Sequence, residues 1–240
     1  NPELLLIFST AYMLSGVLLS RVFIGHIFFV YAMAWIPLIY YFFLKLTQKA
    51  EITVFNISAL ALCETILLFT GGLYYVFFGN AILVIFFLYY LYSGRINRNT
   101  WIALGCSFCL FFSISAIKLI PNFMGMPYIQ RIDLINPLGD GGLLENNFAS
   151  FIFGTPIDTI FGSYETMALI GVIPVLFAIL ALIWGDRDIT VPSFLAIVFS
   201  LIWADGGRIL LSFVHLMPLV NSFRNAGRIF GAIMPIVLLL

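Results

Sequence analysis

From Leu73 to Tyr92 the chain carries no charged side chain, and from Ile27 to Leu46 it carries one, Lys45. Each run matches the roughly 20 apolar residues that an α-helix needs to cross the hydrocarbon core of a bilayer. Inside lipid the backbone must pair its own N–H and C=O groups, so an open chain crosses as helices. Further apolar runs occur at Leu4–Ser20, Ile52–Thr70, Trp101–Ile120, Met167–Trp184 and Val191–Ala204, and another begins at Ile229. The expected fold is therefore all-α, a polytopic transmembrane helix bundle of about 7–8 spans.

Composition removes the water-soluble alternative. Charged residues make up 9% of the chain and hydrophobic ones 62%, whereas soluble domains carry about 25% charge. Lys+Arg 11 balances Asp+Glu 11, so no basic field exists to hold nucleic acid. The expected surroundings are membrane lipid, in a multi-pass protein of the cell membrane. Three cysteines build no secreted disulfide framework. No motif asks for a cofactor, and nothing supports a divalent metal.

The chain reads as one transmembrane domain, 1–240, with short links at Thr47–Glu51, Ser93–Thr100 and Gly185–Thr190 and long loops at about 121–166 and 205–228. It opens at Asn1 on the edge of an apolar run and closes at Leu240 inside one too short to cross. Both ends are accordingly expected to be truncated. Alternation places Lys45, Lys49, Arg95, Arg98 and Arg187 on one side, and Arg21, Lys118, Arg131, Arg208, Arg224 and Arg228 on the other. Topology follows the short basic links more than long segments, so the short links are expected to face the cytoplasm. Tyr40, Tyr41, Tyr89, Tyr90, Tyr92, Trp101 and Trp184 fall at those same ends, as interfacial aromatics do. Pro37 and Pro174 lie within expected spans; each is read as a packing kink.

Charge is scarce enough that each ionisable residue near a span is a candidate. After Pro218, a helix would set Asn221, Arg224 and Arg228 on one face, because residues three and four apart are neighbours. Two guanidiniums there form planar forks suited to a phosphate or pyrophosphate at headgroup depth. The competing account is an anchor against anionic headgroups. His26 follows Arg21 and Gly25 between the first two spans. It could bond a sugar or phosphate, shuttle a proton, or cap the second helix against Gly25. Glu64 stands about six residues inside its span, as a charge partner, a substrate contact or a hydrogen-bonded packing residue.

Other features read more plainly. Arg131, Asp133, Asp140, Glu145, Asp158 and Glu165 populate the first long loop, where solvated charge is the simple account, and Gly139–Gly142 reads as a turn. Gly227 and Gly231 give a small-xxx-small spacing for helix packing. Cys106 and Cys109 form a CxxC inside an apolar span with no nearby His; they read as buried small hydrophobes rather than a zinc or redox pair.

Several segments occur together in one order: Gly25-His26 with Ala34-Trp35-Ile36-Pro37-Leu38, Thr70-Gly71-Gly72-Leu73-Tyr74-Tyr75, Ala116-Ile117-Lys118-Leu119-Ile120-Pro121, and Asn221-Ser222-Phe223-Arg224 with Arg228. In this the chain resembles the YfhO-like and "6-pyruvoyl-tetrahydropterin synthase-related" membrane proteins, grouped with GT-C-type glycosyltransferases. The resemblance implies a GT-C-like fold and transfer of a sugar from a polyprenyl-phosphate carrier to an acceptor on the outer face, in cell-envelope assembly. It implies donor-phosphate contacts at Arg224 and Arg228 and looser matches at His26 and Glu64. The acidic catalytic residue of such enzymes would lie upstream of Asn1. Two alternatives remain: a transporter or flippase for a lipid-linked or anionic solute, and a non-catalytic assembly subunit.

Overall fold

The computed structural model describes residues 2–23, 25–48, 51–71, 73–125, 172–204 and 229–239. All regular structure among them is helical: α1 (Pro2–Met13), α2 (Gly16–Phe23), α3 (Ile27–Thr47), α4 (Val54–Phe69), α5 (Leu73–Tyr92), α6 (Arg98–Gly125), α7 (Val172–Trp184), α8 (Arg187–Ala204) and α9 (Ile229–Leu239). Three of these, α3, α5 and α6, are long and apolar enough to cross a membrane, and α4, α7 and α9 are shorter apolar helices. The chain divides into two compact units, Asn1–Ile27 with Asp133–Leu240, and Phe28–Ile132.

In the Phe28–Ile132 unit, α4 packs against α6 and α5. The α4–α6 seam is lined with small side chains: Ala61 and Thr65 on one helix, Ala103, Ser107 and Ser115 on the other, all buried. Small residues let membrane helices approach closely where water supplies no drive to associate. Ala61, Leu68 and Phe111 form a buried cluster there, and the Ser115 hydroxyl faces that of Thr65 at 3.5 Å. Aromatic edges tie in α3, with Phe29 against Tyr75 at 5.7 Å and Phe42 against Phe55 at 6.0 Å. The opposite faces are apolar too. Ile117 is 75% exposed, and Ile102 and Phe108 are exposed on the same helix, a surface that suits lipid and would be costly in water.

Helix ends in this unit follow local chemistry. The Thr53 hydroxyl accepts from the Asn56 N–H at 3.1 Å and starts α4, satisfying a backbone donor that the first turn leaves open. Thr70 closes it, its hydroxyl donating to the Leu67 carbonyl at 2.9 Å, and Gly71 at φ 93° reverses the chain. Gln48 Nε2 donates to the Tyr90 hydroxyl at 2.8 Å, joining the end of α3 to the end of α5. The basic links around Lys45 and Arg95 therefore share one end of the unit.

In the other unit, α9 packs against α8, α7, α1 and α2. Every residue from Ile229 to Val237 is buried, including Gly231, as close helix packing requires.

Several expectations are corrected. The run Leu4–Ser20 is not one helix: α1 ends at Met13 and α2 starts at Gly16. The Leu19 N–H bonds to the Ser15 carbonyl at 3.0 Å, so a new helix begins at the Ser15-Gly16 pair, a common site of helix kinks. Pro121 does not open a loop, because α6 continues through it to Gly125. The link after α7 is shorter than Gly185–Thr190: the Asp186 carboxylate accepts from the Asp188 N–H at 3.0 Å, and α8 starts at Arg187. Of the aromatics at the helix ends, Tyr40 and Tyr90 are buried against protein, whereas Tyr41, Tyr92, Trp101 and Trp184 are exposed. Cys106 and Cys109 are exposed on α6, and the buried cysteine is Cys63.

Candidate functional site

Asn221, Arg224 and Arg228 lie outside the described residues, as do the carboxylates of the 121–166 loop from Asp133 to Glu165 and the turn Gly139–Gly142. What is described is the helix that follows them. Ile229 opens α9 and is fully buried, as are most residues after it. Arg228 thus directly precedes, in the chain, the most enclosed helix of its unit.

His26 and Arg21 are joined through the backbone. Gly25, at φ 79°, closes α2: its N–H bonds to the Val22 carbonyl at 3.0 Å, and the His26 N–H bonds to the Arg21 carbonyl at 2.9 Å. This left-handed closure satisfies carbonyls that a helix end leaves open; it ends α2, whereas the sequence suggested His26 as a cap on the helix that follows, α3. It also holds the backbone of His26 one short turn from that of Arg21. Arg21 is only 2% exposed, an unusual position for a cation. The sequence reading counted Arg21 among the outer-side charges and gave it no place in a site. Its signal was available: it is the sole charged side chain between Leu4 and Gly25, in a setting where such residues are mostly functional. Arg21 sits on α2, and α2 packs on α9. His26, Arg21 and α9 all belong to the same unit.

Glu64 belongs to the other unit. It is 6% exposed on α4, and its hydrogen-bonding neighbour is the Asn80 side chain of α5. Asn80 Nδ2 also donates to the Val76 carbonyl at 2.9 Å, one turn back on its own helix. Among the described residues no cation pairs with Glu64, so the arginine-partner role has no support within them; Asn80, sixteen positions away, is the partner that sequence reasoning missed.

Lys118 was placed at an outer boundary and given no contact. Its ammonium donates to the Leu68 carbonyl at 2.8 Å and the Phe69 carbonyl at 3.2 Å, and it lies 5.5 Å from the centre of the Phe69 ring. It caps a neighbouring helix at the negative end of that helix's dipole.

Among the described residues no group of three or more His, Cys, Asp or Glu is placed to hold a metal ion. No protein family, curated protein or solved structure matches the chain.

Proposed function

We propose that the chain is a polytopic membrane protein of GT-C-like design, with about 7–8 spans, that transfers a sugar from a polyprenyl-phosphate carrier to an acceptor on the outer face. The observation that carries this reading is the buried guanidinium of Arg21, on a helix that packs against α9, the helix Arg224 and Arg228 lead into. A cation held inside a membrane bundle is expensive and is kept for an anionic group or a charge pathway. A lipid-linked phosphate is an anion of the chemistry that such a guanidinium binds.

In the reaction, the acceptor oxygen attacks the anomeric carbon and the bond from that carbon to the carrier phosphate oxygen breaks. The bonding electrons leave with the phosphate, and the acceptor proton passes to a carboxylate base, a role this reading assigns to no described residue. Charge grows on the phosphate as the bond breaks, and fixed cations stabilise that growth. Arg224, Arg228 and Asn221 would hold the phosphate with Arg21, and His26 would bond the sugar or phosphate beside it. Glu64 is a buried acid that belongs to the other unit, and no step is routed through it.

The test is Arg224→Ala, Arg228→Ala and Arg21→Gln, each alone, in the full-length protein. Loss of one charge-stabilising donor is expected to slow transfer of labelled sugar about 100-fold or more. Unchanged transfer in all three removes the reading.

One observation favours a second reading. The break between α1 and α2 at Ser15-Gly16 makes a discontinuous helix pair, a device that transporters use to line a solute site. Accumulation of a lipid-linked or anionic solute in proteoliposomes, without covalent change, would decide for transport. The assembly-subunit alternative gains no such support.

A further inference from the structure

The break between α1 and α2 frees backbone groups that a continuous helix would pair. α1 closes with the Leu14 N–H on the Thr10 carbonyl at 2.9 Å and the Ser15 N–H on the Tyr12 carbonyl at 3.2 Å. The first bond of α2 runs from the Leu19 N–H to the Ser15 carbonyl at 3.0 Å. The N–H groups of Gly16, Val17 and Leu18 therefore precede the ladder of their own helix and have no partner within it. Donors gathered at a helix start, with the positive end of the dipole behind them, attract negative charge.

A serine in the capping position ordinarily meets this need itself, by accepting from the N–H two or three residues on. Thr53 does so for Asn56 at the start of α4. Ser15 does not. It is only 5% exposed, and its hydroxyl has no hydrogen-bond partner among the described residues. Tyr12 and Leu18, three positions to either side, are buried with it. A buried hydroxyl left unpaired is costly, and this one stands at the open donors, because its own carbonyl marks the start of α2.

The helices packed there bring no acid to this point. α1 and α2 both pack on α9, and the Ile229–Leu239 sequence of α9 holds no carboxylate, hydroxyl or amide side chain. The charge on α2 is positive, Arg21 in its last turn. The acid of α1, Glu3, lies in its first turn, at the end away from the break.

We propose that the start of α2 binds a phosphate group, which accepts hydrogen bonds from the Ser15 hydroxyl and from the N–H groups of Gly16, Val17 and Leu18. Several donors at one point suit a tetrahedral oxyanion, which spreads them over its oxygens. The inference rests on neither reading of the protein's function, since Ser15 lies at the opposite end of α2 from Arg21.

The experiment exposes the full-length protein, in uncharged detergent micelles at fixed ionic strength, to inorganic phosphate and separately to phosphatidylglycerol. The readout is the thermal unfolding midpoint, titrated against a chloride control. Phosphate in one of these forms is expected to raise the midpoint of wild type. Ser15→Ala deletes the hydroxyl alone and should weaken that binding about tenfold. Ser15→Asp brings its own carboxylate to the open donors, as a good cap, and should abolish it. Protection by inorganic phosphate that Ser15→Asp removes supports the site with a free ion as its ligand. Protection by phosphatidylglycerol that Ser15→Asp removes supports it with a lipid as the source of the phosphate. No protection by either, or protection that either Ser15 variant leaves unchanged, overturns the proposal. Should Ser15→Asp fail to fold, Gly16→Pro takes its place, deleting one N–H at a position where proline starts helices well. Binding as tight as wild type in that variant overturns the proposal equally.

Discussion

The Lys118 ammonium of α6 lies 2.8 Å from the Leu68 carbonyl, in the closing turn of α4. One side chain thus terminates a helix other than its own and pins the far end of the α4–α6 seam. Membrane helices gain little from apolar contact with each other, since lipid is equally apolar. A charge-assisted hydrogen bond at the seam's end is therefore a large share of what holds this pair in register.

Removing that cap gives the first prediction. Lys118→Met keeps the apolar stem and deletes the donors, leaving the Leu68 and Phe69 carbonyls without this partner. The cost is expected at about 1–2 kcal/mol, the lower part of the range for charged hydrogen bonds, because the side chain is partly exposed. Lys118→Arg should recover part of it. Unfolding in mixed detergent micelles measures both; a Met variant as stable as wild type contradicts the cap.

The seam itself makes the second. Ala61 is fully buried in the cluster with Leu68 and Phe111, so Ala61→Leu must push α4 and α6 apart. Overpacking of this kind costs about 1–3 kcal/mol. Ser113→Leu, on the exposed side of α6, should change stability by less than about 0.5 kcal/mol. If the two variants unfold alike, the seam is misplaced.

These contacts mark where sequence reading stops. The existence of α3, α5 and α6 was legible, since run length and lack of charge are enough to identify a span. Which face of a run meets protein was not. A run apolar all round carries no amphipathic signal, and lipid and protein interior reward the same residues. Hence Tyr90 turned out buried, with its hydroxyl accepting from Gln48, and Cys106 and Cys109 turned out exposed. Of the candidate site, His26 was read as a contact or as a cap on the helix that follows it, and the observed backbone closure with Gly25 ends the helix before it. Arg21 was passed over because a count of charges by side records how many there are and says nothing of how deeply one is held. The break at Ser15-Gly16 was invisible to hydropathy, which averages over it.

Gly25 supplies the third prediction. At φ 79° with nothing within 4 Å of an added Cβ, Gly25→Ala meets no clash and pays only for left-handed backbone, about 1 kcal/mol. Gly105, inside α6 with equally open surroundings, should behave oppositely, Gly105→Ala gaining about 0.5–1 kcal/mol by stiffening the unfolded chain. Thermal unfolding of the two variants side by side is decisive. A shared sign would mean that Gly25 does not close α2 as described.

The fourth prediction separates two roles for Glu64. If the carboxyl serves to hold α4 against α5 through Asn80, then Glu64 and Asn80 are energetically coupled. A double-mutant cycle of Glu64→Ala and Asn80→Ala should return a coupling of about 0.5–1.5 kcal/mol, typical of polar pairs between membrane helices. Glu64→Gln keeps a carbonyl to accept the Asn80 amide and should cost less than Glu64→Ala. The same variants can be followed for the proposed transfer of sugar from a lipid-linked donor. A packing residue loses stability with activity per folded molecule intact; a substrate contact loses activity in Glu64→Gln with stability intact. Absence of coupling together with such a loss would move Glu64 out of the α4–α5 packing and into the site.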